Sequence, residues 1–123
     1  TVDCDVLDAD GGTRTASING AWIALNETFN NLVEQKKLVQ NPLTNQIAAL
    51  SVGIVDGEFI ADLDYEKDSS AEVDLNLVLN DNFEILEIQG TAEQKPFSKE
   101  DLDKLFEMTK DEVNKVFDVQ KNV

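Results

Sequence analysis

The chain has 123 residues, of which 25 are acidic, 10 basic and none histidine, for a formal net charge of −15. Its lone cysteine, Cys4, excludes a disulfide framework or thiolate zinc site, and the missing histidine excludes imidazole acid–base chemistry, so any metal is a hard ion held by oxygen. No apolar run reaches the ~18 residues of a membrane span, the acidic, alternating first residues do not read as a signal peptide, and the single unpaired cysteine suits a reducing cytoplasm.

Residues 2–7 alternate, with Val2, Cys4 and Val6 on one side and Asp3 and Asp5 on the other, which predicts a half-buried strand. From about Thr13 to Lys37 the period becomes helical. Ile18, Ala21, Trp22, Leu25, Phe29, Leu32 and Val33 form an apolar stripe, and Lys36 and Lys37 suit the negative end of a helix dipole. "VQNPLTNQ" (39–46) is polar, contains a proline and reads as a linker, which divides the chain into 1–40 and 41–123. In "IAALSVGIVDGEFIADLDY", two apolar runs flank Asp56-Gly57, a dipeptide that favours a tight hairpin. "AEVDLNLVLNDNFEILEIQG" repeats that arrangement, with Val73, Leu75, Leu77 and Leu79 alternating before "NDN", and Phe83, Ile85 and Ile88 after it. Four strands in two hairpins are therefore predicted. Ser98 is placed to cap a last helix with a stripe of Leu102, Leu105, Phe106, Val113, Val116 and Phe117. The length is that of one domain, or of a small domain plus part of another. The element order gives a layered α+β or α/β fold, and a chain without an initiating Met is expected to be the later part of a longer protein.

Two stretches carry possible chemistry. In "DADGGTRTAS" (8–17), two glycines precede a helix N-terminus, where backbone N–H groups and the helix dipole favour an anion. Thr13 adds a hydroxyl, and Arg14, the sole arginine, can grip two oxygens. A plain strand-to-helix turn with Thr13 or Thr15 as cap accounts for the same residues. The other stretch, "DLDYEKDSSAEVDLN" (62–76), holds six carboxylates. Asp74 faces away from Val73, Leu75 and Leu77 and shares its face with Glu72 and Asn76, and a loop carboxylate, Asp68, could meet it across a divalent ion; an inert acidic hairpin rim is the alternative. Together the two stretches offer the parts that phosphoryl transfer requires. The acidic balance argues against nonspecific binding to nucleic acid, which needs clustered Lys and Arg, and for most of these carboxylates solubility is reason enough.

"VDCDVLDADGGTRTASINGA", "VGIVDGE", "DLDYEKDSSAEVDLN", "EIQGTAE" and "PFS" follow, in the same order, the second half of bacterial ribonuclease PH, and the chain resembles that family over nearly its whole length. The resemblance implies an α+β fold. Residues 1–40 would be a strand-and-helix remnant of a ribosomal-protein-S5-like first domain, and 41–123 a second domain of two hairpins packed with helices. It also implies a phosphorolytic 3′-to-5′ exoribonuclease that trims tRNA precursors, uses inorganic phosphate in place of water and releases nucleoside 5′-diphosphates. Phosphate would be held by Gly12, Thr13 and Arg14. Asp68 and Asp74 would be the catalytic, metal-binding pair, with Mg2+ or Mn2+ as the ion, and either acid could protonate the leaving oxygen. Asn76 stands where related phosphorolytic enzymes carry a lysine. The implied partners are RNA with a free 3′ end, inorganic phosphate, and further copies in a ring of six or a complementing first half, with no membrane. That first half would bring a second phosphate-contacting arginine and most of the cations for RNA, in keeping with the −15 charge of this one. The competing expectation is a noncatalytic, oligomer-forming subunit, against which the presence of both Arg14 and the acidic pair counts.

Overall fold

The computed structural model describes residues Thr1–Val123. In chain order the elements are α1 (Thr13–Glu34), β1 (Ile47–Val55), β2 (Glu58–Ala61), α2 (Tyr65–Ser70), β3 (Val73–Asn80), β4 (Ile85–Ala92) and α3 (Lys99–Lys121). The four strands form one antiparallel sheet in the order β2-β1-β3-β4. Both expected hairpins are present, and the β1–β3 pairing, from Ile47↔Asn80 to Ile54↔Val73, joins them into a single layer.

Local chemistry explains the turns and caps. Asp56 and Gly57 both take positive φ, 50° and 78°, as a two-residue hairpin turn of the primed type requires. At the second turn the Asn80 side-chain oxygen accepts from the N–H groups of Asn82 (3.0 Å) and Glu84 (2.9 Å). Ser98 caps α3 in a reciprocal box with Asp101.

Cross-strand partners share a face, and the two faces differ. One carries Ala48, Leu50, Val52 and Ile54 of β1 with Val73, Leu75, Leu77 and Leu79 of β3, packed on Leu105, Val113 and Phe117 of α3. Burial of such side chains from water, at roughly 25 cal/mol per Å2 of apolar surface, is the main force holding α3 to the sheet. The other side carries Ala49, Ser51 and Gly53 opposite Val78, Asn76 and Asp74, and it is here that α1 and the 8–12 loop lie.

The outer edge of β1 is covered piecewise. β2 pairs only with Val52–Val55. Beyond it, Asp62 N–H donates to Ser51 O (2.7 Å) and Gln120 Nε2 to Ile47 O (2.9 Å). Asn19 of α1 takes both backbone groups of Ala49, at 2.9 and 2.7 Å, as a neighbouring strand would. Trp22 Nε1 donates to Asn45 O (3.0 Å). These bonds cover much of that edge and fix α1 against the sheet.

Three expectations are corrected. Residues 2–7 form no strand; they run past Ala16, Ser17 and Gly20 of α1 with Cys4 Sγ 3.8 Å from Ser17 O, because alternation makes a strand only where a partner edge is available. The first helix ends at Glu34, with Gln35 as cap and Lys36 in the left-handed region (φ 58°), so Lys36 and Lys37 lie beyond its last turn. A short helix, α2, occupies part of the stretch read as loop, capped by Asp64, which accepts from Lys67 N–H at 2.9 Å.

Candidate functional site

The N-terminal stretch and the acidic stretch meet at Gly11. This residue has φ 65°, and a Cβ there would lie 2.6 Å from Leu63 O, 2.8 Å from Asp64 C and 2.9 Å from Tyr65 N. Only glycine permits that conformation and that approach together. Asp10 Oδ1 accepts from Tyr65 N–H (3.3 Å) and closes the contact. The 8–12 loop is thus docked on the start of α2, the helix that carries Asp68.

Gly12, at φ 56°, is the N-cap of α1 and has no side chain to bond the first turn. Thr15 does not cap the helix: its Oγ1 donates backwards to Gly12 O at 2.8 Å. Thr13 is exposed and is not the cap either. The first-turn N–H groups therefore remain available at the positive end of the dipole, with the Thr13 hydroxyl and the Arg14 guanidinium beside them. That donor set suits an oxyanion such as phosphate.

Asp74 lies in β3 on the α1 side, opposite Gly53 and Thr91, and points away from the α3 core as the alternation predicts. Its Oδ1 is buried and takes no hydrogen bond. Burial, then the charges of Asp68 and Glu93, push its carboxyl above the ordinary carboxylate value, and the nearby Ser51 hydroxyl pulls weakly the other way. Asp68 and Asp74 are thus brought within electrostatic reach of each other. Glu72, expected on the same face, is diverted: its carboxylate sits 2.6 Å from Lys95 Nζ.

No group of three or more Asp, Glu, His or Cys side chains converges to hold an ion. A pair of carboxylates, one with an unpartnered buried oxygen, nevertheless fits magnesium or manganese, which take one or two carboxylates and complete their shell with water and substrate phosphate.

Around Asp74 the sheet face is polar. Asn76 is its neighbour on β3, and Gln89 and Thr91 lie across on β4. Glu87, on the same strand, was not among the predicted residues, yet its carboxylate lies 2.8 Å from Arg14 Nη2. The signal for it was in the sequence: Ile85 and Ile88 are three apart, a spacing that a regular strand with one apolar face cannot have.

Comparison with known proteins gives a consistent result. The profile of the 3′ exoribonuclease family, domain 2, matches residues 45–112. Ribonuclease PH from Synechococcus sp. (strain CC9605) is 52% identical over 120 residues, which is 98% of this chain and 49% of that relative. The chain therefore spans about half the length of the curated relative it matches. Among solved structures, rice (Oryza sativa) Rrp46 superposes with a TM-score of 0.72 at 19% identity, covering 94% of this chain and 49% of the other. The Archaeoglobus fulgidus exosome with RNA bound to the active site gives a TM-score of 0.66 at 19% identity, covering 91% of this chain and 44% of the other. At such identities the solved structures establish the fold alone.

Proposed function

Because the chain belongs to the 3′ exoribonuclease family and corresponds to the C-terminal half of a ribonuclease PH, we propose that it supplies the phosphate cradle and the acidic pair of a phosphorolytic 3′-to-5′ exoribonuclease acting on tRNA precursors. One observation carries this reading. The Gly11 contact and the Asp10–Tyr65 hydrogen bond dock the turn that leads into Gly12, Thr13 and Arg14 on the start of the helix that bears Asp68. A phosphate-binding turn and a carboxylate pair are thereby built into one surface.

In this reading inorganic phosphate lies on the N–H groups of the first turn of α1, with the Thr13 hydroxyl and Arg14 fixing its orientation. A phosphate oxygen attacks the phosphorus of the last phosphodiester. The bond to the 3′-oxygen of the shortened RNA breaks, and the terminal nucleotide leaves as a nucleoside 5′-diphosphate. The departing 3′-oxygen needs a proton. Asp74 is the acid suited to hold one, because burial and the Asp68 charge both favour its neutral form. Where Asp68 and Asp74 instead hold magnesium or manganese, both are ionised, the ion would supply charge stabilisation for the oxygens that develop negative charge, and the proton comes from another donor. The cations that hold the RNA backbone come from outside this chain, from the complementing half or from neighbouring copies in a ring, in keeping with its −15 charge.

The test combines the chain with the N-terminal half of its relatives, RNA with a free 3′ end, phosphate and magnesium. Nucleoside diphosphates are expected only when phosphate is present, and Arg14→Ala should reduce their yield to background. Release of monophosphates without phosphate, or an unchanged yield from Arg14→Ala, would refute the assignment. A noncatalytic subunit would form the assembly and release neither product.

A further inference from the structure

Glu87 touches a member of the proposed site, and two independent features put it there. The first is the contact itself. Arg14 Nη2 lies 2.8 Å from Glu87 Oε1 and 3.0 Å from Oε2, across 73 positions of sequence. One nitrogen serves both oxygens, and Arg14 makes no other hydrogen bond to the protein. Nη1 and Nε therefore keep their protons for a ligand, three of the five that a guanidinium carries. The pair is 46% and 40% exposed, so it contributes little to folding. Its consequence is geometric.

The second feature is a break in the β3–β4 register. Val78 opposes Glu87 while Leu79 opposes Ile85, which leaves Leu86 as an extra, unpaired residue. With regular pairing Leu86 would oppose Val78, and Glu87 would oppose Leu77 on the α3 side. The bulge reverses this. Past it, Glu87, Gln89 and Thr91 occupy the side that carries Asp74 and Asn76, and Ile88 falls on the apolar side opposite Leu77. A bulge that re-aims side chains is a feature of edge strands beside functional sites.

We propose that Glu87 is a positioning residue, holding the Arg14 guanidinium by Nη2 over the face that bears Asp74 so that Nη1 and Nε are presented to the attacking phosphate. The inference rests on the phosphorolytic reading above. A carboxylate that merely crowded the phosphate would have the opposite effect on affinity. Glu87→Gln keeps the shape and removes the charge, so it separates the two: loss of positioning weakens phosphate binding, and relief of repulsion strengthens it.

Two measurements test the proposal. Arg14 is the only arginine, so the full chain gives one arginine Nε–H signal in nitrogen-15 NMR. That side chain should be ordered in the wild type and mobile in Glu87→Gln and Glu87→Ala. In the phosphorolysis assay with the complementing half, both variants should raise KM for phosphate by about two- to fivefold, the range that an exposed ion pair supports. KM for RNA should stay in place, kcat at saturating phosphate should change less, and Glu87→Asp should restore part of the loss. An equally ordered Arg14 in Glu87→Gln, or an unchanged or lowered KM for phosphate, overturns the positioning role while leaving phosphorolysis intact. Absence of phosphate-dependent diphosphate release from the wild-type assembly removes the phosphorolytic reading, and this inference with it.

Discussion

Gly11→Ala tests whether the docking of the 8–12 loop on α2 is what builds the site. Two costs add at this position. An L-residue at φ 65° adopts the left-handed region at about 1–2 kcal/mol. The new Cβ would also stand 2.6–2.9 Å from three consecutive backbone positions, Leu63 to Tyr65, whereas carbon contacts settle at about 3.5–4.0 Å. The loop must therefore withdraw by roughly 1 Å. That movement breaks the Asp10–Tyr65 hydrogen bond, worth about 0.5–1.5 kcal/mol. The expected total is about 1.5–3.5 kcal/mol.

Two other glycines provide the scale. Gly57 also has positive φ (78°) but nothing within 4 Å of a Cβ, so Gly57→Ala should cost only the backbone strain of about 1–2 kcal/mol. Gly12 (φ 56°) meets only the Thr15 hydroxyl, at 3.2 Å, and a side chain yields more easily than backbone. Urea unfolding of the three variants should rank Gly11→Ala as the most destabilised. Hydrogen exchange should show Thr13–Ala16 opening in that variant, and phosphorolysis should fall because the cradle has left Asp68. If Gly11→Ala matches Gly57→Ala in stability and keeps phosphate-dependent activity, the contact at Leu63–Tyr65 is not what assembles the site.

Asp74→Asn should raise Tm at pH 7 more than at about pH 3. The folded carboxyl is held above its ordinary value of 3.8, so the native state keeps its proton longer than the unfolded chain, and stability falls as pH rises through that interval; asparagine removes the penalty. Magnesium should raise the Tm of the wild type and not of the variant, and an equal gain from Asp74→Asn at both pH values would contradict the buried-carboxyl argument. Asn19→Ala leaves both backbone groups of Ala49 without their side-chain partner and should cost about 1–3 kcal/mol in calorimetric or urea unfolding, with a loss below about 0.5 kcal/mol placing the hold on α1 elsewhere.

The parts of this molecule that could be read directly from sequence are those set by local chemistry. Asp56-Gly57 requires positive φ whatever surrounds it, Ser98 and Asp101 satisfy each other within one turn, and the alternation around Val73–Leu79 places Asp74 on the outer side without reference to any neighbour. The features that escaped depend on distant partners. Residues 2–7 alternate as a strand does, but β2, Asn19 and Gln120 already occupy the outer edge of β1. α2 is six residues long, too short to show a period, and only its Asp64 cap signalled it.

The bulge at Leu86 lies between these cases and shows what a spacing anomaly is worth. Ile85 and Ile88 contradict any regular strand with one apolar face, so either one isoleucine faces the polar side or the chain carries an extra residue. The structure takes the second course, since Leu79 and Leu77 on the neighbouring strand already define the apolar side for Ile85 and Ile88. The same inserted residue then decides the electrostatics of the opposite face. Glu87, which regular pairing would place opposite Leu77 on the other face, becomes the one carboxylate in contact with the only arginine of a chain whose net charge is −15. A site residue 73 positions away from its partner is thus set by a local irregularity in β4: one extra residue between Ile85 and Glu87 decides which face the acid takes and so what Arg14 meets.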